Sequence, residues 1–355
     1  MFAKRLTNAR KAAGLSLREV GTQVGLSHAA IKKYEDGKVL PSSDVLLKLA
    51  RTLKVRSEYF FRPDTIDLTG LEYRKKCSLP KKRLAAITQE VVDQIERRLE
   101  LESFFPTTPV KPFVQSQSLV AEFSTFDSIE FAAEALRKEW NIGLNPIPDI
   151  TDLLESHGIR VFLVDTNSDA KFDGLAATAN GMPVIVVGGN WPGDRQRLTL
   201  AHELGHLMLR GRLQTTLDEE KACHRFAGAF LFPRCSVLQE LGTRRTSIEP
   251  KELALLKEEF GLSMSATLYR AKDLGIISQE YHKRTMIKFR MLGWHRVEPG
   301  PPYPSEKTHV FEQHIFHALG EGYIGEAKAA ELLGMPLINF RRFRALEGIH
   351  AIPHQ

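Results

Sequence analysis

The sequence predicts an α+β protein that is mostly helical, with a small β-sheet near its middle. Apolar residues recur at three- and four-residue steps along much of the 355 residues, which indicates amphipathic helices. Short helical patterns at both ends are separated by glycine and serine turns. Two strand-like runs flank Asn180-Gly181, a pair typical of a tight β-hairpin.

Composition predicts a globular protein of the cytoplasm. Hydrophobic residues make up 43% and charged residues 26%, which is ordinary for a folded domain. No stretch approaches the roughly 18 apolar residues of a membrane span. The first residues lack the apolar core of a signal peptide, and three cysteines are too few for a disulfide framework. We therefore expect no membrane and a reducing compartment.

Positive charge is concentrated at the N-terminus. Residues 1–63 contain 13 Lys/Arg against 5 Asp/Glu, whereas the remainder contains 36 against 38. A small domain with this excess attracts a polyanion such as the phosphate backbone of nucleic acid. A solvated basic face explains the charge alone equally well.

Residues 1–63 consist of short helical patterns joined by tight turns. Ser16 and Glu19 have the spacing of a capping box. Gly25 ends that helix in the left-handed conformation, and Ser27 caps the next one. The inward positions are Val20, Val24, Ile31 and Tyr34.

The segment GLSHAAIKKYEDGKVLPSSDVLLKLARTLKV resembles the repressor-type (XRE or Cro/CI) helix-turn-helix family, with the likeness covering about residues 3–61. The resemblance implies that the helix from Ser27 to Glu35 enters the major groove of operator DNA, and that the protein binds as a homodimer. It implies base reading by the first residues of this helix and phosphate contacts by the basic ones. The DNA-binding residues would be Arg18, Ser27, His28, Ala29, Lys32 and Lys33. The alternative is a domain of this fold that binds only protein.

A long amphipathic helix is predicted after a polar linker, RPDTIDLTGLEYRKK. Its narrow apolar stripe either forms a dimer seam or, the favoured interpretation, packs on a neighbouring domain. The stripe consists of Leu84, Ile87, Val91, Ile95 and Leu99.

The helix DRQRLTLAHELGHLML contains a potential metal site. His202 and His206 are four residues apart, so their imidazoles lie on one helix face and can bind one ion. Glu203 sits about 100° around the helix, within reach of a water at the metal. The alternative is a pair of histidines that cap or line a core helix. A third ligand could come from Glu219 or Glu220 at the start of the next helix.

The segments RQRLTLAHELGHLML and EEKACHRFAGAFLFP are similar to the ImmA/IrrE family of metallopeptidases, with the likeness covering about residues 128–275. The resemblance implies a mainly helical zincin-like domain with a small β-sheet. It assigns Zn²⁺ to His202, His206 and Glu220, with Glu219 as the fallback, and the catalytic role to Glu203. The implied substrate is a helix-turn-helix repressor or the chain itself.

Further positions leave alternatives open. His224 stands where the family often has Asn or Asp, so it competes for the metal, orients Glu220 or simply faces outward, the favoured interpretation. Cys223 and Cys235 are expected in the core. The strand MPVIVVG is expected to hold an extended substrate by edge pairing. His309, His314 and His317 form a less favoured second metal site.

We expect a helix-turn-helix DNA-binding domain at 1–63, a linker with a long helix at 64–127, a metallopeptidase domain at 128–280 and a helical region at 281–355. Gly261-Leu262-Ser263 repeats the turn sequence Gly25-Leu26-Ser27, and the segment EAKAAELLGMPLINFRRFRAL shows the same helix-turn-helix pattern a third time. These repeated patterns are additional DNA-contacting units or, the favoured interpretation, structural helices.

Two functions compete. The first is a transcriptional regulator with a zinc-dependent endopeptidase domain that acts in a stress or mobile-element switch. The second is a repressor or antitoxin whose metal domain senses a ligand and does not cleave. A structural adaptor without metal is a third hypothesis.

Overall fold

A computed structural model describes residues 2–61, 68–69, 81–119, 122–164 and 172–347. It confirms a mostly helical α+β fold. The N-terminal elements are α1 (Phe2–Ala12), α2 (Leu17–Val24), α3 (His28–Glu35), α4 (Ser43–Thr52) and a 3-10 helix (Ser57–Phe61). Among the described residues, none of the helices combines the length and apolar character that a bilayer crossing requires.

The N-terminal helices begin and end where the sequence predicts. The Ser16 hydroxyl accepts from Glu19 N–H, and the Glu19 carboxylate accepts from Ser16 N–H, so the capping box is confirmed. Gly25 closes α2 with a φ of 75°. Val20 and Ile31 are fully buried in the core of this domain. The local signals are therefore sufficient to place α2 and α3.

A long helix, α5 (Lys81–Ser103), joins this domain to the rest of the protein. On one side, Glu96 forms a buried ion pair with Arg5 of α1. On the other side, Ile87, Val91 and Ile95 are buried against the β-sheet. The prediction that the apolar stripe packs on a neighbouring domain is confirmed.

The β-sheet has four strands in the described residues, in the order β1-β3-β4-β2. The strands are β1 (Leu68–Thr69), β2 (Arg160–Val164), β3 (Gly174–Ala179) and β4 (Met182–Gly188). Asn180 and Gly181 both have positive φ, 48° and 82°, and form the predicted hairpin turn between β3 and β4. β1 lies inside the segment predicted as a linker and pairs antiparallel with the end of β3.

The expectation that β4 offers a free edge to substrate is wrong. β4 pairs antiparallel with β3 on one side and parallel with β2 on the other, so both of its edges are hydrogen-bonded. Its residues from Pro183 to Gly188 are all buried. A continuous apolar run without alternation is typical of such an interior strand. The sequence MPVIVVG has this pattern, and it was the signal for an interior position.

The remaining helices are α6 (Phe126–Glu139), α7 (Ile150–Ser156), α8 (Gly193–Leu209), α9 (Glu219–Leu231), α10 (Arg234–Leu241), α11 (Pro250–Phe260), α12 (Met264–Asp273), α13 (Gln279–Met291), α14 (Val310–Gly320), α15 (Glu326–Leu332) and α16 (Leu337–Arg344). α6 begins at Phe126, where the Thr125 hydroxyl caps it by accepting from Ser128 N–H. The largest core lies between the sheet and helices α6, α8, α9, α11 and α12. Within it, α8 packs on β3, β4 and α9.

The segment between α13 and α14 holds the first turn of α8 in place. Glu306 forms a buried ion pair with Arg197 of α8, with 2.8 Å between the nearest atoms. Gly193 N–H donates to the Tyr303 carbonyl, and a Cβ atom on Gly193 would lie 1.8 Å from the Pro304 carbonyl oxygen. Only glycine therefore fits at the start of this helix.

Candidate metal centre and DNA interface

Helix α8 brings the two histidines and the glutamate of the HELGH motif to the interior. His202 and Glu203 are each only 2% exposed, and His206 is partly buried. Gly205 lets α9 approach closely, since a Cβ atom at this position would lie 3.2 Å from the Cα atom of Cys223. The spacing of the motif therefore places the polar groups on α8, and its glycine sets the distance to α9.

Helix α9 supplies the acidic side chains. Asp218 caps it by accepting from Lys221 N–H, so Glu219 and Glu220 occupy the first turn as predicted. The carboxylate of Glu220 lies 3.7 Å from His202 Nε2 and 3.6 Å from His206 Nε2. The two imidazole Nε2 atoms are 3.1 Å apart. The two imidazole nitrogens on α8 therefore face one carboxylate on α9, each nearest to a different oxygen of Glu220.

These distances fit a small tetrahedral cation. Bonds of about 2.0–2.1 Å to nitrogen and oxygen require ligand atoms about 3.3–3.4 Å apart. The observed separations of 3.1, 3.6 and 3.7 Å differ from that value by a few tenths of an ångström. The donor set of two imidazoles and a carboxylate is also one that binds metal ions. The site can therefore hold a metal ion with little movement.

Glu219 and Cys223 form a second group with His206 that could hold a metal ion. Glu219 lies 3.0 Å from His206 Nδ1, on the side of the ring away from His202. A carboxylate that accepts from the Nδ1–H group orients an imidazole whose Nε2 faces a metal. Cys223 is fully buried in the core, as predicted, and packs there as a small apolar side chain. The geometry favours Glu220 as the group that faces both Nε2 atoms.

His224 is exposed but does not simply face outward. Its ring centroid lies 4.3 Å from that of His202, and its ligand atoms group with those of His202 and Glu220. The favoured interpretation of His224 was therefore incomplete. Since His224 follows Glu220 by one helical turn, the i, i+4 spacing was the signal that pointed to this arrangement.

A cavity of about 1160 Å³ opens beside His224. It lies between the start of α6, the exposed side of α9 and helix α12. Its wall contains Lys221 and Arg225 from α9, and Ser265 and Tyr269 from α12. Space therefore exists next to the polar cluster for a ligand much larger than a water molecule.

The six residues predicted to contact DNA all lie on the surface of the N-terminal domain. Ser27 has a structural role as well, because its hydroxyl caps α3 by accepting from Ala30 N–H. Lys32 is paired with Asp36 at 2.8 Å, and this hydrogen bond raises the pKa of Lys32. A bidentate pair between Arg10 and Glu35 fastens α3 to α1. A firmly held helix thus presents an exposed basic face.

One further prediction was wrong, and one disfavoured alternative finds no support within the described residues. Cys235 is exposed at the start of α10, so placing it in the core was wrong. The rings of His314 and His317 pack edge-on against Phe105, and within the described ranges these histidines are in no group that could hold a metal. Aromatic packing accounts for their proximity.

Two family models match the chain. Residues 6–60 match the helix-turn-helix family, and residues 154–272 match the IrrE N-terminal-like domain. The second range runs from α7 to α12 and includes the whole polar cluster on α8 and α9. These matches confirm both resemblances, and they point to DNA binding by the first domain and to a metallopeptidase-like module in the second.

Proposed function

Because this chain carries an XRE-type helix-turn-helix domain and an ImmA/IrrE-type metallopeptidase-like domain, we propose that it is a DNA-binding transcriptional regulator that also cleaves a protein by zinc-dependent hydrolysis. The observation that carries this proposal is the convergence of a carboxylate from α9 and two imidazole Nε2 atoms from α8, a helix that also carries the buried Glu203.

The proposed zinc ligands are His202, His206 and Glu220. Their nitrogen and oxygen atoms lie within a few tenths of an ångström of the separations around tetrahedral zinc, and three protein ligands would leave one position for water or substrate, as in catalytic sites. Glu219 would orient His206 through its Nδ1–H group. Zinc in this position supplies a lowered pKa for water and polarisation of the scissile carbonyl.

Glu203 is the proposed general base. It directly follows His202 on α8 and is 2% exposed, so the helix places it about 100° around from His202 and it is shielded from bulk solvent. In this role it accepts a proton from the attacking water and delivers it to the leaving amine. The cavity beside His224 offers room for the polypeptide on one side of the cleaved bond.

The N-terminal domain would bring this activity to operator DNA. Helix α3 enters the major groove, where His28 and Ala29 meet base edges near its start. Arg18, Lys32 and Lys33 contact phosphates, which fix position without reading sequence. All five are exposed on the surface. A homodimer on two half-sites, acting on a helix-turn-helix repressor or on its own chain in the cytoplasm, completes the proposal.

One observation favours the sensor as the second candidate. The ring of His224 lies against His202 and can join Glu220 as a ligand. A fourth protein ligand would close the site, and closed four-ligand zinc sites are structural. Such a domain would bind a metal and report it without cleaving.

Cleavage by the full chain separates the two candidates. We expect that zinc-loaded protein incubated with candidate helix-turn-helix repressors, or alone, yields discrete fragments by mass spectrometry, and that a chelator stops their formation. Tight zinc binding and DNA binding without any fragment would instead support the sensor. Absence of zinc binding would exclude both functions of the metal domain.

The two neighbouring glutamates should differ in their effect on zinc affinity. We expect Glu220→Gln to weaken zinc binding by more than about 100-fold, the upper end of the range for residues that only orient ligands. Glu219→Gln, the same chemical change one residue earlier, should stay within the roughly 10–100-fold range of such residues. Competition with a chromophoric chelator measures both affinities. A larger loss for Glu219→Gln would make Glu219 the ligand.

A further inference from the structure

The last three helices of the described chain repeat the first three. Gly25, in the turn between α2 and α3, has its counterpart in Gly334, in the turn between α15 and α16, which lies 309 residues further along. The two glycines have φ angles of 75° and 69°. The same offset relates α2 to α15 and α3 to α16 to within a residue at the helix ends.

The backbone hydrogen bonds of the two turns match one for one. Leu26 N–H donates to the Gly21 carbonyl at 2.8 Å, and Met335 N–H donates to the Ala330 carbonyl at 3.0 Å. Ser27 begins α3 by accepting from Ala30 and Ile31 N–H. Pro336, its counterpart, accepts from Asn339 and Phe340 N–H in the same way. Both turns thus redirect the chain with the same geometry.

The pattern of buried side chains follows the same offset. Four fully or nearly fully buried apolar positions of the first unit are matched by fully buried residues in the second. The pairs are Leu6 with Ile315, Ala9 with Ala318, Val20 with Ala329 and Ile31 with Phe340. Therefore α15 packs on α16 as α2 packs on α3, and Phe316 of α14 stacks on Phe340 of α16.

Helix α5 completes the core of the second unit. In the first unit, Leu49 and Leu53 at the end of α4 close the core. In the second unit, Leu101 at the end of α5 is buried among the three helices, and Phe104 and Phe105 pack against them. The second unit therefore needs no helix of its own in place of α4.

We propose that α14–α16 is a second helix-turn-helix head and that α16 binds duplex DNA. The residues of α16 that correspond to Lys32 and Lys33 are Arg341 and Arg342, which are both exposed. α16 also carries Arg344 and contains no acidic residue. A recognition helix needs this cationic face to meet the phosphate backbone.

The start of α16 has side chains suited to base edges. Ile338 and Asn339 correspond to Ala29 and Ala30, and both are exposed, Ile338 at 59%. An asparagine amide can pair with the N6 and N7 atoms of adenine, and an apolar side chain can contact the thymine methyl group. This head would therefore favour A·T pairs in the major groove.

In each head an acidic side chain pairs with basic residues of the recognition helix, from the start of α15 in the second head and from the end of α3 itself in the first. Glu326 accepts from Arg341 and Arg344 at 2.9 and 2.7 Å, as Asp36 pairs with Lys32 in the first head. Hydrogen bonding to Arg341 lowers the pKa of Glu326. Glu326 and Asp36 thus orient the basic side chains on the exposed faces of α16 and α3. Arg342 is exposed on α16 next to Arg341.

Helix α12 follows the other repeat of the turn sequence, but its first turn is not exposed as the first turn of α16 is. Met264, which corresponds in position to His28, is fully buried. Glu298 accepts from Met264 and Ser265 N–H and so covers the first turn of α12. A helix whose first turn is covered cannot place side chains in a groove, and α12 is therefore structural.

Helix α5 contacts both helix-turn-helix heads. Arg5 of α1 pairs with Glu96 of α5, and Leu101 of the same helix lies in the core of the second head. Glu96 and Leu101 are about 8 Å apart along the helix axis. Arg56 of the first domain donates to the carbonyl of Met335, in the turn of the second head. One chain would thus present two linked DNA-binding helices.

Matched pairs of basic residues test the proposal. The variants are Arg341→Ala/Arg342→Ala in α16, Lys32→Ala/Lys33→Ala in α3, and Lys283→Ala/Arg284→Ala as the control in α13, where both residues are exposed. Each variant removes two positive charges. The probe is a labelled random-sequence duplex long enough for two heads, and fluorescence anisotropy gives the affinity at a series of salt concentrations.

We expect the α16 variant to bind roughly tenfold more weakly or worse. The slope of log affinity against log salt should fall by about 1.8 in magnitude, because each lost phosphate contact contributes about 0.9. The α3 variant should behave similarly and the α13 control like the unaltered protein. Arg342→Ala alone, which leaves the pairs with Glu326 intact, should lower the slope by about 0.9.

Two results would overturn the second head. If the α16 variant matches the α13 control while the α3 variant loses affinity, DNA binding belongs to the first head alone and α14–α16 serves protein contact or support. If the unaltered protein binds no duplex, the DNA-binding part of the proposed function fails as well. Circular dichroism spectra identical to that of the unaltered protein would establish that each variant is folded, so that a lower affinity reflects lost DNA contacts.

Discussion

Replacing Glu203 with glutamine is expected to reduce peptide cleavage by about 10³-fold, within the range of about 10²–10⁴ for loss of a general acid–base group. Glutamine keeps the size of the side chain but cannot accept a proton at neutral pH. The proposed ligands His202, His206 and Glu220 are unaltered, so the bound zinc should stay constant. The rate of fragment formation and the zinc content of the purified protein measure the two effects.

The control for this variant is Glu240→Gln, the same chemical change at an exposed position of α10. We expect it to cleave at the rate of the unaltered protein. If Glu203→Gln also cleaves at that rate, Glu203 is not the base and the proposed mechanism is wrong. If it loses zinc together with cleavage, Glu203 supports the site rather than the reaction.

Replacing Glu130 with alanine is expected to lower the free energy of unfolding by about 3–5 kcal/mol, because removing one member of a buried ion pair leaves an uncompensated charge. Glu130 on α6 pairs with Arg270 on α12, and both are at most 3% exposed. It also accepts from Arg225 on α9 at 2.7 Å. One carboxylate thus joins three helices, including the helix that carries the proposed ligand Glu220.

Urea denaturation followed by circular dichroism measures this loss. The control is Glu258→Ala on α11, which removes the same group from an exposed position. Its effect should stay within about 0.5 kcal/mol, as for most surface substitutions. A loss below about 1 kcal/mol for Glu130→Ala would show that the two arginines find compensation when the carboxylate is absent.

Much of the architecture was predictable because its signals are local. The capping box at Ser16 and Glu19 and the left-handed Gly25 depend on residues within one or two turns. Asn180-Gly181 similarly specifies its hairpin, since both residues tolerate positive φ. The domain bounds stay predictions, because exposed connections carry weak signals.

Other features depend on residues that are distant in the sequence. The interior position of β4 requires β2 and β3 on its two sides, and one apolar run does not name its partners. The exposed Cys235 likewise depends on which face of α10 the rest of the core covers. The sequence-based expectations for the edge of β4 and for the burial of Cys235 were therefore wrong.

The amino-acid sequence by itself determined that two imidazoles and a glutamate share one helix, since the spacing of His202, Glu203 and His206 and the pitch of a helix are sufficient for that. Only the tertiary structure decided that Glu220 faces both Nε2 atoms while Glu219 faces Nδ1 of His206. The reason is that the crossing of α8 and α9 is set by packing across the core, and adjacent residues on a helix point about 100° apart.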